Sequence, residues 1–250
     1  MLYAILSDIH ANPDAFRNAL ADARQQGAKK IICLGDLVGY GPDAAASVAL
    51  AQEACDVVVM GNHDAATTGV ISPWNFRPEA QDGVRRHREE LSVEALDWLR
   101  TRPYVYRGRG FAVAHGTLDE PESFGYIFNV AQAWGAFKAM GRTRLLFVGH
   151  THSSMWCTHD AGEVVGDRCD LLTLRKEYQY IVNVGSVGYP RCESESVYAL
   201  YDSIRRTVTW RRLPFNFDDY FAQMEAKNIH IASWLKDRAQ EAAQKENRPC

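Results

Sequence analysis

Five short apolar runs in this chain break off into Asp, Asn or His, and this recurrence limits its possible folds more than any other feature. Asp56-Val57-Val58-Val59-Met60 leads into Gly61-Asn62-His63-Asp64, residues 2–7 into Asp8-Ile9-His10, and residues 31–35 into Asp36. Residues 111–114 lead into His115-Gly116, and residues 145–149 into His150-Thr151-His152. Runs this short, several of them rich in Val and Ile, are of strand length and do not reach helix length. One such ending is an ordinary turn, because Gly, Asn and Asp form turns readily. Five of them point to one edge of an α/β sheet, where the loops that follow the strands converge on a ligand.

The intervening segments fit that architecture. Asn12 and Pro13 read as the N-cap and first residue of a helix over 14–26, stopped by Gly27, and a second helix is expected over 43–53. Between them, the three glycines and one proline of 35–42 imply a tight loop where backbone can approach a ligand closely. Strand, helix, strand, helix, strand is the pattern of right-handed crossovers. Two excursions interrupt it, at about 65–102 and 117–142. The first holds Pro73, Trp74 and Phe76, then helical patterns over 80–90 and 93–100; its run Arg85-Arg86-His87-Arg88-Glu89-Glu90 reads as a solvated helix face. The second holds Phe124, Tyr126 and Phe128 and a helix over 130–140. Beyond Ser153 strands are expected near 155–159, 171–175, 180–184, 197–201 and 207–212, as a second sheet packed on the first. Two helices over about 217–244 and a frayed tail at 246–250 follow. No repeat, low-complexity segment or long linker divides the chain, so residues 1–250 are expected to form a single domain.

Charge narrows the partners. The 28 basic and 31 acidic residues leave a net charge of −3, without the basic footprint of a nucleic-acid or anionic-membrane binder. Arg205-Arg206 and Arg211-Arg212 are too short to change that. No apolar run approaches the roughly 20 residues of a membrane helix. The first strand follows Met1 without the pattern of a signal peptide, so a cytoplasmic location is expected. The six cysteines have no Cys-x-x-Cys spacing, which argues against a thiolate zinc site or a disulfide framework, and Cys33 reads as a core residue.

Asp8, His10, Asp36, Asn62, His115, His150 and His152 together make a mixed oxygen and nitrogen donor set without sulfur. Such a set suits Mn, Fe, Zn, Ni or Co rather than Ca or Mg. Seven ligands exceed what one such ion takes, and with a shared carboxylate they match two. Two ions about 3.5–4 Å apart clamp an in-line displacement at phosphorus, so the reaction class implied is metal-assisted phosphoester hydrolysis. Asp-x-His and His-x-His on extended backbone each point two side chains the same way.

These blocks, Asp8-Ile9-His10, Gly35-Asp36-Leu37-Val38-Gly39, Gly61-Asn62-His63-Asp64, His115-Gly116 and Gly149-His150-Thr151-His152, resemble the calcineurin-like metallophosphoesterases in type and order. Residues 35–42 and 183–191 also resemble a bacterial and archaeal subgroup of small phosphodiesterases. The resemblance implies two mixed β-sheets packed face to face and flanked by helices. It implies that Asp8, His10, Asp36 and His152 hold one ion, and that Asp36 bridges to a second held with Asn62, His115 and His150. It further implies attack by a metal-bridging hydroxide, with His63 beside the leaving oxygen and Asp64 orienting the His63 imidazole.

The substrate is less constrained. Tyr40, Trp74, Phe76, Phe124, Tyr126 and Phe128 lie in loops that leave or adjoin these motifs. They either wall a site for a nucleobase or pack the excursions onto the body. Arg191 either meets a second phosphate or forms a surface ion pair, and Asn183 and Ser186 either support the ligands or simply form turns. A small phosphodiester or phosphomonoester, including a nucleotide or dinucleoside polyphosphate, is the first expectation. A nuclease and a regulatory protein that binds metal and nucleotide without turnover are the alternatives.

Overall fold

The computed structural model describes residues 1–160, 163–167, 169–191 and 193–246. The chain begins β1 (Leu2–Leu6), α1 (Pro13–Gln25), β2 (Lys30–Cys33), α2 (Ala44–Ala54), β3 (Val57–Val58). The first excursion carries α3 (Asn62–Thr67), α4 (Pro78–Glu90) and α5 (Val93–Arg100), followed by β4 (Val105–Arg107) and β5 (Ala112–Ala114). The second carries α6 (Val130–Met140) and leads into β6 (Leu145–Val148). Then come β7 (Met155–Asp160), β8 (Glu163–Asp167), β9 (Leu171–Thr173), β10 (Gln179–Asn183), β11 (Glu195–Asp202), β12 (Thr207–Pro214), α7 (Phe217–Ala226) and α8 (Ser233–Glu246).

The strands form two mixed sheets of six, ordered β3-β2-β1-β11-β12-β9 and β4-β5-β6-β10-β7-β8. In each, a parallel trio (β3, β2 and β1; β5, β6 and β10) is extended by antiparallel strands. The expectation that the strands after Ser153 form a sheet of their own is therefore corrected. β11, β12 and β9 extend the β1 sheet, whereas β10, β7 and β8 extend the β6 sheet. Which sheet a late strand joins is decided by long-range pairing, which sequence order does not encode. β4 and β8 were not anticipated; of the expected tail at 246–250, Glu246 ends the last helix and 247–250 lie outside the described residues.

Alternation along the strands produces four layers. Ile5, Ile32, Val113, Phe147 and Val182 point into the core between the sheets. Ala4, Leu6, Ile31 and Cys33 point outward onto α1 and α2, which return Phe16, Leu20 and Val48. Leu146, Val148 and Ile181 meet Ala133, Ala136, Phe137 and Met140 of α6 on the other flank. Each fully buried Leu, Ile or Phe contributes about 1.5–3 kcal/mol. A one-residue slip would turn every such residue to the wrong layer, so the register is fixed. That register brings the carboxyl ends of both parallel trios to the same edge. Among the described residues no helix is long and apolar enough to cross a membrane.

Candidate active site

The loops at this edge depart from ordinary backbone. Asp8, His10, Asp36, His150 and His152 all have positive φ, between 47° and 67°. For residues other than glycine this costs on the order of 1 kcal/mol each, and such strain gathers at functional sites. Tertiary hydrogen bonds hold the loops there. Asp8 N–H and His10 N–H donate to the Gly35 and Asp36 carbonyls, and Val187 N–H and Gly188 N–H to the Ser7 and Asp8 carbonyls. His150 N–H donates to Asp8 Oδ2 at 3.0 Å, joining the two sheets. Gly149 is required here, because a Cβ would lie 1.9 Å from Ser7 Oγ.

All seven candidate ligands are buried and brought together. His10, His115 and His152 each pair Nδ1 with a backbone carbonyl, of Val38 (3.0 Å), Leu34 (2.8 Å) and Tyr189 (2.5 Å). Carbonyls only accept, so each Nδ1 carries a proton and each ring turns its Nε2 inward. His10 Nε2 and His152 Nε2 are 3.1 Å apart, and His152 Nε2 is 3.3 Å from Asp8 Oδ1. His115 Nε2 lies 3.3 Å from Asp36 Oδ2, 3.1 Å from Asn62 Oδ1 and 3.1 Å from His150 Nδ1. Asp8 Oδ1 is buried with no hydrogen-bond partner. Two groups of donors stand close enough to share an ion, Asp8 with His10 and His152, and Asp36 with His115 and His150. An orphaned carboxylate oxygen facing clustered imidazole lone pairs fits a divalent transition metal.

The titration behaviour follows from the same crowding. Burial pushes Asp8 up to about 6 and holds His10, His150 and His152 well below the usual histidine range. Burial also raises Asp36, but the positive partners, His115 first, outweigh it and hold the carboxyl well below its usual range. For His115 burial is outweighed by Asp36, leaving the ring up at about 9. Without an ion, a proton on His115 does part of a cation's work, and metal binding must release it.

His63 sits at the start of α3 with its N–H donating to Asp36 Oδ1 at 2.8 Å. Its ring packs on His10 (4.9 Å between centroids), and a Cβ on Gly39 would lie 2.1 Å from its Nδ1, so that loop must be glycine. The ring also stands with His10 and Asp36 in a third possible metal group. Burial pulls it down to about 4.

Asp64 is not where the resemblance implied. Its Oδ2 accepts from Asp36 N–H (2.8 Å) and Gly61 N–H (3.0 Å), its Oδ1 from Leu37 N–H (2.9 Å) and Val38 N–H (3.3 Å). His63 Nδ1 is buried with no hydrogen-bond partner among the described residues. The reading of Asp64 as the group that orients His63 is corrected: with the loop amides converging on the start of α3, its carboxylate staples the Asp36 loop to the Gly61 turn. Burial and the Asp36 charge raise its carboxyl to about 7, against the pull of those amides.

Beside these groups opens a cavity of about 550 Å³, lined among others by Asp36, Tyr40, His63, Trp74, Tyr126 and Arg191. Tyr126 lies flat on His150 (3.8 Å) and stacks on Phe128 (5.1 Å); both are substantially exposed, and Trp74 is 79% exposed at the mouth. Phe76 packs against His63 at 5.1 Å. Phe124 and Tyr40 are buried, Phe124 against Met60 and Ala65, and Tyr40 stacked on Tyr189 at 4.3 Å. Arg191 donates to Tyr40 Oη at 2.9 Å and, among the described residues, makes no ion pair. Asn183 Nδ2 donates to the Gly149 carbonyl and Thr151 Oγ1, and Ser186 Oγ to the Asp8 carbonyl, so both brace the ligand loops.

The run 85–90 is only partly a solvated face. Arg85 pairs with Asp82 and Glu89 in solvent, but His87 is fully buried, accepting from Gly39 N–H at Nδ1 (2.9 Å) and donating from Nε2 to the Gly41 carbonyl (3.0 Å). Arg86 donates to the Tyr40 carbonyl, and Arg88 to those of Ala66 and Thr67. The missed signal was spacing: Ala80, Val84, His87 and Leu91 form one buried helical stripe.

Comparison with known proteins agrees with this geometry. Residues 1–205 match the model of the calcineurin-like phosphoesterase superfamily domain. The structure of a metallophosphoesterase from Sphaerobacter thermophilus superposes with a TM-score of 0.83 at 31% identity, over 96% of this chain and 98% of that one. A hypothetical protein from Pyrococcus horikoshii OT3 shares the fold, with a TM-score of 0.75 at 16% identity over 94% and 96% of the two chains. An uncharacterized protein of Methanocaldococcus jannaschii is 26% identical over 95% of this chain and 96% of its own. A two-sheet fold with an Asp/His cluster at its strand ends defines a metal-dependent phosphoesterase. The chain belongs to the calcineurin-like phosphoesterase superfamily.

Proposed function

We propose that this phosphoesterase works at two divalent transition-metal ions, of the Mn, Fe, Zn or Ni kind, and hydrolyses a small phosphodiester or phosphomonoester of the nucleotide type. Asp8, His10, Asp36 and His152 hold one ion; Asn62, His115 and His150 hold the other together with the same Asp36 carboxylate. The observation that carries this reading is the set of three imidazoles pinned through Nδ1 to backbone carbonyls, their Nε2 atoms crowded against two carboxylates. When bound, two such ions lower the pKa of a water molecule and offset the charge that develops on the phosphoryl oxygens.

The chain's own residues orient the ester and stabilise charge. The water oxygen forms the new bond to phosphorus and loses its proton to solvent as the bond to the leaving oxygen breaks. His63, neutral in its buried position, gives a hydrogen bond to that leaving oxygen while solvent supplies its proton. Trp74 and the Tyr126–Phe128 pair present flat apolar faces at the mouth, which favours a nucleobase on the substrate.

The test is to strip the protein of metal, add back Mn, Fe(II), Ni, Zn or Mg, and assay bis-p-nitrophenyl phosphate, p-nitrophenyl phosphate and a small nucleotide panel. Turnover is expected with a transition-metal ion and not without one. Cleavage of the monoester alone narrows the function to a phosphatase. Two bound ions without turnover of any ester would overturn the proposal.

A further inference from the structure

Arg191 lines the cavity without a carboxylate partner among the described residues; its guanidinium makes one hydrogen bond, to Tyr40 Oη at 2.9 Å. A guanidinium carries five N–H donors in a planar fork, so most remain available. Its long flank rests on the stacked pair Tyr40–Tyr189, the charge lying 5.5 and 5.9 Å from the two ring centroids. A cation withdrawn from water with no counter-ion is costly, and a fold that builds one into a cavity wall calls for an anion.

The turn that carries it is fastened to the ligand loops. Gly188 N–H donates to the Asp8 carbonyl, the Tyr189 carbonyl accepts from His152 Nδ1, and the Arg191 carbonyl accepts from Arg238 Nε at 2.9 Å. A Cβ at Gly188 would lie 1.7 Å from the Ile9 carbonyl oxygen, so this contact has no slack. Tyr40 in turn packs 4.9 Å from the His10 ring and 4.8 Å from the His63 ring. Arg191 is thereby held one aromatic ring away from the reacting centre. Space continues past it, in a cavity of about 370 Å³ lined by Arg77, Arg191, Trp234, Asp237, Arg238 and Glu241, where Glu241 is paired with Arg238.

We infer that Arg191, held by Tyr40, forms a second anion subsite, and that the preferred substrate carries a second phosphoryl group beside the one that is cleaved. This rests on the phosphoesterase reading above and names the substrate class within it. Arg191 meets the second phosphoryl oxygens with paired N–H donors, and the adjoining cavity receives what lies beyond.

The experiment is calorimetric titration of the Mn-loaded protein with AMP and with ADP, Mn being in excess over nucleotide. The two probes share base and sugar and differ by one phosphoryl group. ADP is expected to bind about tenfold tighter or more, and Arg191→Gln to bring the two within about twofold. Arg191→Lys keeps the charge without the fork and should fall between; it carries the test if Arg191→Gln does not fold. Equal affinities in the native protein, or a native ratio in either variant, would overturn the subsite. Because binding is read without turnover, a failure of the hydrolysis assay leaves this result separately interpretable.

Discussion

Asp8, His10, Asp36, His150 and His152 are buried and held in left-handed backbone, whereas Trp74 and Tyr126 at the adjoining cavity, with Phe128 stacked on Tyr126, are exposed on ordinary backbone. The first group sits two to four residues beyond strands whose register is fixed by the intersheet core, and each loop is tied to another. The second sits in excursions that the core does not constrain. Chemistry is thus built where packing overdetermines position, and selectivity where solvent permits change. Substitutions in the two regions should accordingly differ in what they break as well as in how much.

The largest effect is expected from Asp36→Asn. It removes the proposed shared ligand, and kcat should fall on the order of a thousandfold with loss of bound metal. Metal analysis beside steady-state kinetics checks this; full metal content with native turnover would remove Asp36 from its role between the ions. Next comes Asp64→Ala, which strands the amides of Asp36, Leu37, Val38 and Gly61. Urea denaturation of the metal-free protein should show a loss of about 3–5 kcal/mol, partly recovered in Asp64→Asn. Unchanged stability with lowered turnover would instead return Asp64 to the His63 imidazole.

His63→Ala should keep its metal and lose about a hundredfold in kcat on esters with alkyl leaving groups, and much less on p-nitrophenyl esters, whose leaving oxygen needs no proton. Loss of metal in this variant would make His63 a ligand. Smallest is Trp74→Ala, with stability within about 0.5 kcal/mol and KM for nucleotides raised about threefold to tenfold. An equal rise for bis-p-nitrophenyl phosphate and nucleotides would show that the indole does not discriminate for the base.

The sequence made the candidate ligand set legible because each member stands just past a strand end, a one-dimensional signal repeated often enough to outweigh turn chemistry. The capped helix at Asn12 was equally plain, its side chain accepting from Ala15 N–H, whereas Asp43, expected as the first residue of the second helix, is its cap and accepts from Ala46 N–H. His87 was hidden by its charged neighbours, although its helical phase with Ala80 and Val84 marked it for burial. Asp64 was misread because adjacency to His63 in sequence suggested adjacency of side chains. At the start of a helix, an N3 carboxylate turns back to free amides, and here the Asp36 loop supplied more of them.

By itself, then, the sequence determined the residue types at the strand ends, the alternation that makes those strands buried, and the donor chemistry that follows. These are local properties, carried by side-chain identity and by periods of two or a few residues. The tertiary structure alone decided which sheet each late strand joined, which imidazole nitrogen faces inward, and that Arg191 lies against Tyr40 and Tyr189 without an ion pair among the described residues. Each of these depends on contacts between segments far apart in the chain, as in the 151 positions that separate Tyr40 from Arg191. No local pattern records such a contact, because it exists only once the sheets have packed.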